Sequence, residues 1–283
     1  MSAAATDERT LLLPELGLRT RLIDAGSGPV VVMLHGNPDN ADEWRPLIER
    51  LRGRYRCIAP DFPGYGKAPE PPPSFTYTLA EQMQFLEAIL KTAQVSEPFV
   101  LVLHDTGGMV GTAWAAANMH RLRGVMFTNT VVFERYPWFA IARGWGKRSL
   151  LGRLRAALGM RALGLRRGAL FRKIFGAQSP QLSAADLARF TRDFALNTAA
   201  KATTLRQFRQ FMQPEFFAGF ETMRAQLVES VPCRVLWGDK DPYIPVRYAR
   251  LFGRASVKIL PHAGHWVPLV APDELAAEVA AFA

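Results

Sequence analysis

Three ionisable residues follow short apolar runs in an order that suits covalent catalysis. They are Asp105, Asp241 and His265. Because an Asp side chain is ionised at neutral pH, Asp105 can attack an electrophilic carbon without a base to remove a proton. Hydrolysis of the resulting ester needs activated water, which is a role for His265 as general base, with Asp241 holding the imidazole. The three residues therefore predict a nucleophile, a base and a supporting acid.

The segment around Asp105 allows two interpretations. The apolar run 99–103 precedes His104-Asp105, and Gly107 and Gly108 lead into an Ala-rich segment that is helical in pattern. A strand that turns sharply into a helix, with one reactive side chain at the corner, is a nucleophile elbow, in which the usual residue is Ser. Alternatively, Asp105 caps the following helix, as Asp often does. The segment by itself is consistent with both.

Strand-like and helix-like runs alternate through most of the chain, which predicts an α/β fold with a parallel sheet covered on both faces. In such a sheet, ligands bind beyond the carboxyl ends of the strands. The predicted strands are 18–24, 30–34, 55–59, 99–103, 124–128, 234–237 and 257–260, and the predicted helices outside the central stretch include 44–51, 78–93, 245–252 and 272–282.

The strand pattern is interrupted by about a hundred residues that are helical in pattern. We predict a core domain formed by residues 1–132 and 232–283, with residues 133–231 inserted as a helical cap. A cap over the strand ends would close a pocket and exclude water from it.

Short motifs at the strand ends resemble those of a known family. His35-Gly36-Asn37-Pro38, Asp61-Phe62-Pro63-Gly64-Tyr65-Gly66, His104-Asp105 and Gly264-His265-Trp266 resemble the α/β-hydrolase superfamily, and within it the haloalkane dehalogenase and epoxide hydrolase branch, in which Asp replaces the nucleophilic Ser. The resemblance covers nearly the whole chain. It implies a mostly parallel, eight-stranded sheet flanked by helices, with an inserted helical cap.

The resemblance also implies a reaction. Asp105 would form an alkyl-enzyme ester with a hydrophobic substrate, and water activated by His265 and Asp241 would hydrolyse it. Asp241 matches the family position better than Asp239. The oxyanion would be held by backbone N–H groups of Thr106 and of a residue near Asn37, and no cofactor or metal is implied. Our leading expectation is a haloalkane dehalogenase type of hydrolase.

Three alternatives remain open. Epoxide hydrolases share the motifs, and so do the β-lactone decarboxylases of olefin biosynthesis, to which Asn129-Thr130 and Pro137-Trp138 are also similar. A non-enzymatic scaffold that retains the fold would have no need of Asp105, Asp241 and His265 together.

The site departs from the dehalogenase pattern where the leaving group would bind. Thr106 stands where most of those enzymes carry a Trp whose indole N–H holds the halide. The amide of Asn37, or an indole from Trp138 or Trp145, could replace that donor, although packing within the cap is the simpler role for the two tryptophans. Tyr136 is the only Tyr between residues 133 and 231, whereas epoxide hydrolases of this branch use a pair of cap tyrosines.

Position 103 is a further departure. Two residues before the nucleophile the family usually has a small side chain, and this chain has Leu103. We therefore expect an unusual elbow geometry.

The cap holds the excess positive charge. The chain has a net charge of +10 at pH 7, and from Arg143 to Lys173 there are ten Lys or Arg residues, interleaved with leucines, and no carboxylate. We favour a solvated cationic face. The alternatives are peripheral contact with an anionic membrane or with an acidic protein. Because no nucleic-acid-binding module accompanies the charge, we expect no nucleic-acid partner.

Composition indicates a soluble protein of the cytoplasm. At 283 residues, with 49% hydrophobic and 21% charged residues, the chain suits one large domain with an insertion. Cys57 and Cys233 lie far apart in apolar runs, which indicates buried thiols and no disulfide. Residues 1–16 are too acidic and too weakly apolar for a secretory signal, and we expect no membrane-spanning helix.

Overall fold

The computed structural model describes residues 8–282. Eight strands form one sheet in the order β1-β2-β4-β3-β5-β6-β7-β8. The strands are β1 Glu8–Leu13, β2 Leu18–Ala25, β3 Val30–Leu34, β4 Arg56–Pro60, β5 Phe99–His104, β6 Leu122–Thr130, β7 Cys233–Gly238 and β8 Ser256–Leu260. β1 and β2 are antiparallel to their neighbours, and the other six strands are parallel to one another. The predicted α/β-hydrolase fold with a mostly parallel sheet is confirmed.

Helices lie on both faces of the sheet and beyond the ends of its strands. They are α1 Arg45–Leu51, α2 Leu79–Thr92, α3 Asp105–Ala117, α4 Ala140–Trp145, α5 Leu150–Leu163, α6 Leu165–Gln178, α7 Ala184–Phe190, α8 Thr198–Phe211, α9 Phe220–Ser230, α10 Val267–Val270 and α11 Pro272–Ala280. Side chains of α2, α3 and α9 fill the core on one face, and those of α1, α10 and α11 fill it on the other. Every residue of β5 is buried, as expected for a central parallel strand.

Two elements differ from the sequence predictions. The pattern did not indicate β1, because its first three residues are polar and exposed and only its last part contributes to the core. The predicted helix 245–252 is a short 3₁₀ segment, Val246–Leu251, which a left-handed Gly253 follows closely. A segment this short forms the tighter turns of a 3₁₀ helix more readily than a regular α-helix.

The stretch predicted as a cap contains α4 to α9 and no strand. α9, the last helix of this stretch, packs against α3 of the core. Helices α4 to α8, which we call the cap, lie beyond the strand ends around a cavity. In the part of the chain that the structure describes, no helix is long and apolar enough to cross a membrane. Cys57 and Cys233 are free and buried, and burial raises the pKa of each thiol to about 12.

Candidate active site

Asp105 lies at the corner between β5 and α3 in a left-handed backbone conformation, with φ of 46°. Non-glycine residues rarely adopt this conformation, and it recurs where a side chain must be presented at a functional turn. Oδ1 of Asp105 accepts the backbone N–H of Asn37 at 2.8 Å, so the carboxylate points toward the loop after β3 and does not cap α3. A Cβ on Gly36 would lie 2.3 Å from Cβ of Asp105, so only glycine allows this approach. The geometry is that of an elbow.

His265 lies between the two predicted carboxylates. Its Nδ1 is 2.7 Å from Oδ2 of Asp241, and its Nε2 is 3.6 Å from Oδ2 of Asp105. When Nδ1–H donates to Asp241, Nε2 is free to accept a proton on the side of Asp105. The structure therefore brings together the three residues that the sequence singled out, and it places Asp239 in an exposed turn.

Asp241 is held by more than the imidazole. Its Oδ1 accepts the backbone N–H groups of Tyr243 and Ile244, at 2.7 and 2.9 Å. Its Oδ2 also accepts Nδ2 of Asn129 at 2.7 Å. These donors compensate a buried negative charge and fix the oxygen that faces His265.

Asn129 and Thr130 are positioning residues that sequence reasoning did not assign to the site. Asn129, at the end of β6, also bonds the backbone of Gly238 on β7. Thr130 donates its hydroxyl to the carbonyl oxygen of Asp105 at 2.6 Å, which fixes the corner from behind. Their position in the sequence could have predicted this role, because both residues lie at the carboxyl end of a parallel strand next to β5.

A buried pair, Glu43 and His104, holds the backbone of His265 in place. Nε2 of His104 donates to the carbonyl oxygen of His265 at 3.0 Å, and its Nδ1 lies 3.2 Å from a carboxyl oxygen of Glu43. Complete burial lowers the pKa of His104, and burial together with the charge of Asp39 raises the pKa of Glu43 well above its usual range. Neither member of the pair is therefore charged. Because Nε2 of His104 donates to a carbonyl oxygen, its Nδ1 accepts the proton that Glu43 donates.

A residue of the cap reaches the pair of Glu43 and His104 through Asp39. Arg189, on α7, forms a bidentate ion pair with Asp39, whose carboxylate lies beside Glu43. No local pattern in the sequence indicates this chain of contacts, since its members are far apart along the polypeptide.

The loop after β3 is held by the motif residues around it. Nε2 of His35 accepts the backbone N–H of Phe62 at 2.8 Å, and its Nδ1 donates to the carbonyl oxygen of Gly36. Burial lowers the pKa of His35, so this imidazole is neutral. Asp61 accepts two hydrogen bonds from the buried guanidinium of Arg21. These contacts fix the peptide whose N–H group meets Asp105.

The side-chain amide of Asn37, a predicted leaving-group donor, points away from Asp105. The side-chain amide of Asn37 donates to Tyr65 and Thr204, at 2.6 and 2.8 Å, so its backbone N–H, rather than its amide, contacts Asp105. Thr106 is buried at the start of α3, and its proposed role as a backbone donor remains a prediction.

An apolar cavity of about 270 Å³ lies in front of Asp105 and His265. Trp138, Trp145 and Tyr136 line it, together with Tyr243 and other aromatic and aliphatic residues. Their role in contacting substrate remains a prediction. Trp138 stacks on Phe211, so it also packs within the cap. The Tyr136 hydroxyl donates to the carbonyl oxygen of Tyr243 at 2.7 Å. Burial raises the pKa of both tyrosines, which keeps their hydroxyl groups protonated.

No metal site accompanies this arrangement within residues 8–282, where no cluster of three or more His, Cys, Asp or Glu side chains could hold an ion.

A family model described as the alpha/beta hydrolase family matches residues 31–278. The chain belongs to the alpha/beta hydrolase family. Membership agrees with the sheet order, the elbow at Asp105 and the neighbouring histidine and acid.

Individual members of the alpha/beta hydrolase family differ in reaction. The chain is 37% identical over 143 residues to a cis-3-alkyl-4-alkyloxetan-2-one decarboxylase of Xanthomonas campestris, an alignment that covers 46% of this chain and about half, 48%, of that protein. It is 26% identical over 275 residues to haloalkane dehalogenase 2 of Mycobacterium tuberculosis, covering 92% of this chain and 90% of the relative. A solved epoxide hydrolase from hot-environment metagenomes has the same fold, with a TM-score of 0.69, 20% identity and 99% of each chain covered.

Proposed function

We propose that this alpha/beta hydrolase acts on an electrophilic sp³ carbon of a hydrophobic small molecule, with Asp105 as the nucleophile. One observation carries the proposal. The carboxylate at the elbow borders an apolar cavity and has its Oδ2 3.6 Å from an imidazole that is itself paired with Asp241. A carboxylate needs no base for its attack, so His265 is available for a later step.

The two oxygens of Asp105 have different surroundings. Oδ1 is engaged by the Asn37 N–H group, whereas Oδ2 faces His265 and the cavity. We assign Oδ2 to the attack, in which it forms a bond to carbon while the leaving group departs with its electron pair. Oδ1 becomes the ester carbonyl oxygen, and the Asn37 N–H group is already in place to stabilise negative charge there.

Hydrolysis of that ester uses His265. Nε2 takes a proton from water as the water oxygen adds to Cγ of Asp105, and Asp241 stabilises the imidazolium. Collapse of the adduct breaks the bond between Cγ and Oδ2, and the alcohol leaves with Oδ2 and with the proton from His265. The Asp105 carboxylate is regenerated with one oxygen from water, and the second proton of that water is released to solvent. This is haloalkane dehalogenase chemistry when the leaving group is a halide.

The leaving group that fits this cavity best is a carboxylate within a strained ring. Thr106 offers no indole, and the Asn37 amide is committed to Tyr65 and Thr204, so a halide would depend on the indoles of Trp138 and Trp145 in the cavity lining. In a β-lactone, attack of Asp105 on the ring sp³ carbon breaks the ring C–O bond and releases a carboxylate tethered to the substrate. Loss of carbon dioxide then supplies the electron pair that forms the alkene and expels Asp105, without water.

Charge within the cavity favours that second step. Among its lining residues, all of them in the described range, none is Lys or Arg. A tethered carboxylate would be poorly solvated there, and decarboxylation removes the localised charge. The 37% identity to an alkyloxetanone decarboxylase supports the same class. The dehalogenase reaction is the second candidate, supported by the similarity that extends over 275 residues.

Epoxide opening has less support. The cavity tyrosines, Tyr136 and Tyr243, both donate to acceptors elsewhere, the carbonyl oxygen of Tyr243 and the side chain of Gln178. Either hydroxyl would have to leave its acceptor in order to protonate an opening ring.

The reaction class can be tested with three substrates of equal chain length. The protein is incubated with a cis-3,4-dialkyl oxetan-2-one, a 1-bromoalkane and a terminal epoxide, and alkene with carbon dioxide, bromide, and diol are measured. Asp105→Ala is the control. We expect alkene from the lactone that is lost in the control. Bromide alone would identify the dehalogenase reaction and diol alone the epoxide reaction, and no product from any of the three would contradict the proposal.

A further inference from the structure

The outer surface of the cap concentrates positive charge without compensation. The ten Lys and Arg residues from 143 to 173 equal the net charge of the whole chain, +10, and residues 135–185 include no Asp or Glu. Among the ion pairs formed within residues 8–282, none involves one of these ten side chains. The charge is therefore available to an external anion.

Helix α5 presents an apolar stripe outward between these charges. Leu150, Leu154 and Leu158 lie four residues apart on one face and are 85%, 55% and 57% exposed. The opposite face of the same helix buries Ala156 and Met160 against the protein. A helix that is apolar on the side away from its own core exposes surface that water solvates poorly, which is typical of an interaction site.

An arginine cluster adjoins this stripe. Arg153, which lies between Leu150 and Leu154, lines a cavity of about 250 Å³ with Arg148, Arg206 and Arg209. The buried Nε of Arg209 has no hydrogen-bond acceptor in the described structure, and burial, followed by the charges of Arg153 and Arg206, lowers the pKa of Arg209. A phosphate group would supply acceptor oxygens and relieve the repulsion between guanidinium groups.

The active-site cavity also borders exposed residues of α4 to α6. Ile141 and Ile174, 48% and 38% exposed, line that cavity from α4 and α6, and the exposed Gly159 of α5 borders it. Helix α5 therefore carries the leucine stripe and one edge of the cavity, and its Arg153 joins the arginine cluster, which α8 completes with Arg206 and Arg209.

We propose that the outer face of α5 and α6 docks on an anionic phospholipid surface, with the leucine stripe in the apolar layer and the arginine cluster holding a phosphate headgroup. Exposed leucines flanked by arginines match both layers of such a surface, since arginine extends its charge to the headgroups while leucine enters the acyl region. An acidic protein would satisfy the arginines but not the leucines. Docking would bring the cavity to the membrane in which hydrophobic substrates dissolve, and it is independent of the reaction proposed above.

Flotation with lipid vesicles tests the proposal. The unmodified protein is mixed with phosphatidylcholine vesicles, or with vesicles containing phosphatidylcholine and phosphatidylglycerol at a ratio of about three to one, at low and high salt. We expect binding to the anionic vesicles that weakens as salt rises. Binding should fall at least tenfold in Leu150→Ser/Leu154→Ser/Leu158→Ser and about 30-fold in Arg153→Gln/Arg209→Gln.

Leu12→Ser/Arg19→Gln is the matched control, because these exposed residues pair across β1 and β2 and lie outside the cap. It should bind as the unmodified protein does, and circular dichroism of all variants checks that they are folded. No vesicle binding would overturn the proposal. So would binding that the leucine substitutions leave unchanged, retention on poly-glutamate without vesicle binding, or stabilisation by inorganic phosphate alone.

Discussion

Leu103 occupies the space that a side chain on Gly111 would need. A Cβ built on Gly111 would lie 2.1 Å from Cδ2 of Leu103. The bulky residue two positions before Asp105 is thus accommodated by a glycine on the face of α3 that packs against β5. The elbow keeps a left-handed nucleophile position, with φ of 46° at Asp105, although the sequence predicted that Leu103 would make the elbow unusual.

We therefore expect Gly111→Ala to destabilise the protein by about 1–3 kcal/mol through overpacking. Leu103→Ala alone should also destabilise, by about 2–5 kcal/mol, because it leaves a cavity. The double variant should lose less than the sum of the two, which denaturant unfolding of the four proteins would measure. Gly159→Ala, where an added Cβ meets nothing within 4 Å, is the control. Additive effects at positions 103 and 111 would show that the two residues do not compete for one space.

Asp241→Asn should stop ester hydrolysis without stopping ester formation. An amide at this position can present an N–H group to His265, which favours the wrong imidazole tautomer. For a haloalkane or epoxide that the protein turns over, we expect a fall in turnover of about 10³–10⁴-fold and accumulation of a covalent ester. Asp239→Asn, in the exposed turn two residues away, should change turnover less than twofold. Equal losses in the two variants would mean that Asp241 has no specific role.

Glu43→Gln should stabilise the protein increasingly as pH rises. The pKa of Glu43 is raised well above its ordinary value of 4.5 in the folded state, chiefly by burial. Above pH 4.5 the unfolded chain releases this proton while the folded chain retains it, so stability falls as pH rises, by up to about 1.4 kcal/mol per pH unit. Glutamine cannot ionise and can still donate to Nδ1 of His104.

The free energy of unfolding of Glu43→Gln should therefore match that of the unmodified protein below pH 4.5 and exceed it progressively toward pH 7. Urea titrations at several pH values measure the difference, with the exposed Glu15→Gln as a control that shows no such trend. A variant that is strongly destabilised at pH 7 would instead indicate an ion pair between Glu43 and a charged His104.

The sequence predicted the parts of the site that follow strands. Apolar runs locate β3, β5, β7 and β8, and parallel strands bring their carboxyl ends to one edge, so Asn37, Asp105, Asp241 and His265 could be grouped from the order of residues alone. β1 was missed because its pairing with β2, rather than its own short pattern, makes it a strand.

Other features depend on contacts that no local pattern contains. Glu43 meets His104 across 61 positions of sequence, and the fit of Gly111 to Leu103 depends on how α3 packs on β5. The direction of the Asn37 side chain is set by Tyr65 and Thr204, which belong to the core and to the cap, respectively. Such tertiary contacts decide which donors face the cavity, and hence which leaving group fits.

Covalent capture is the most direct test of Asp105 as the nucleophile. The protein with His265→Phe is incubated with whichever of the three substrates the unmodified protein turns over, and the intact mass is measured, followed by peptide mapping. For a haloalkane or an epoxide, whose ester only water can release, we expect one adduct per chain, located on Asp105: the alkyl group from the haloalkane, or the whole mass of the opened epoxide. A lactone should give a transient adduct of its whole mass in rapid-quench samples of the same variant. A folded His265→Phe protein that carries no adduct at any time, or carries it on another residue, would contradict the assignment of Asp105.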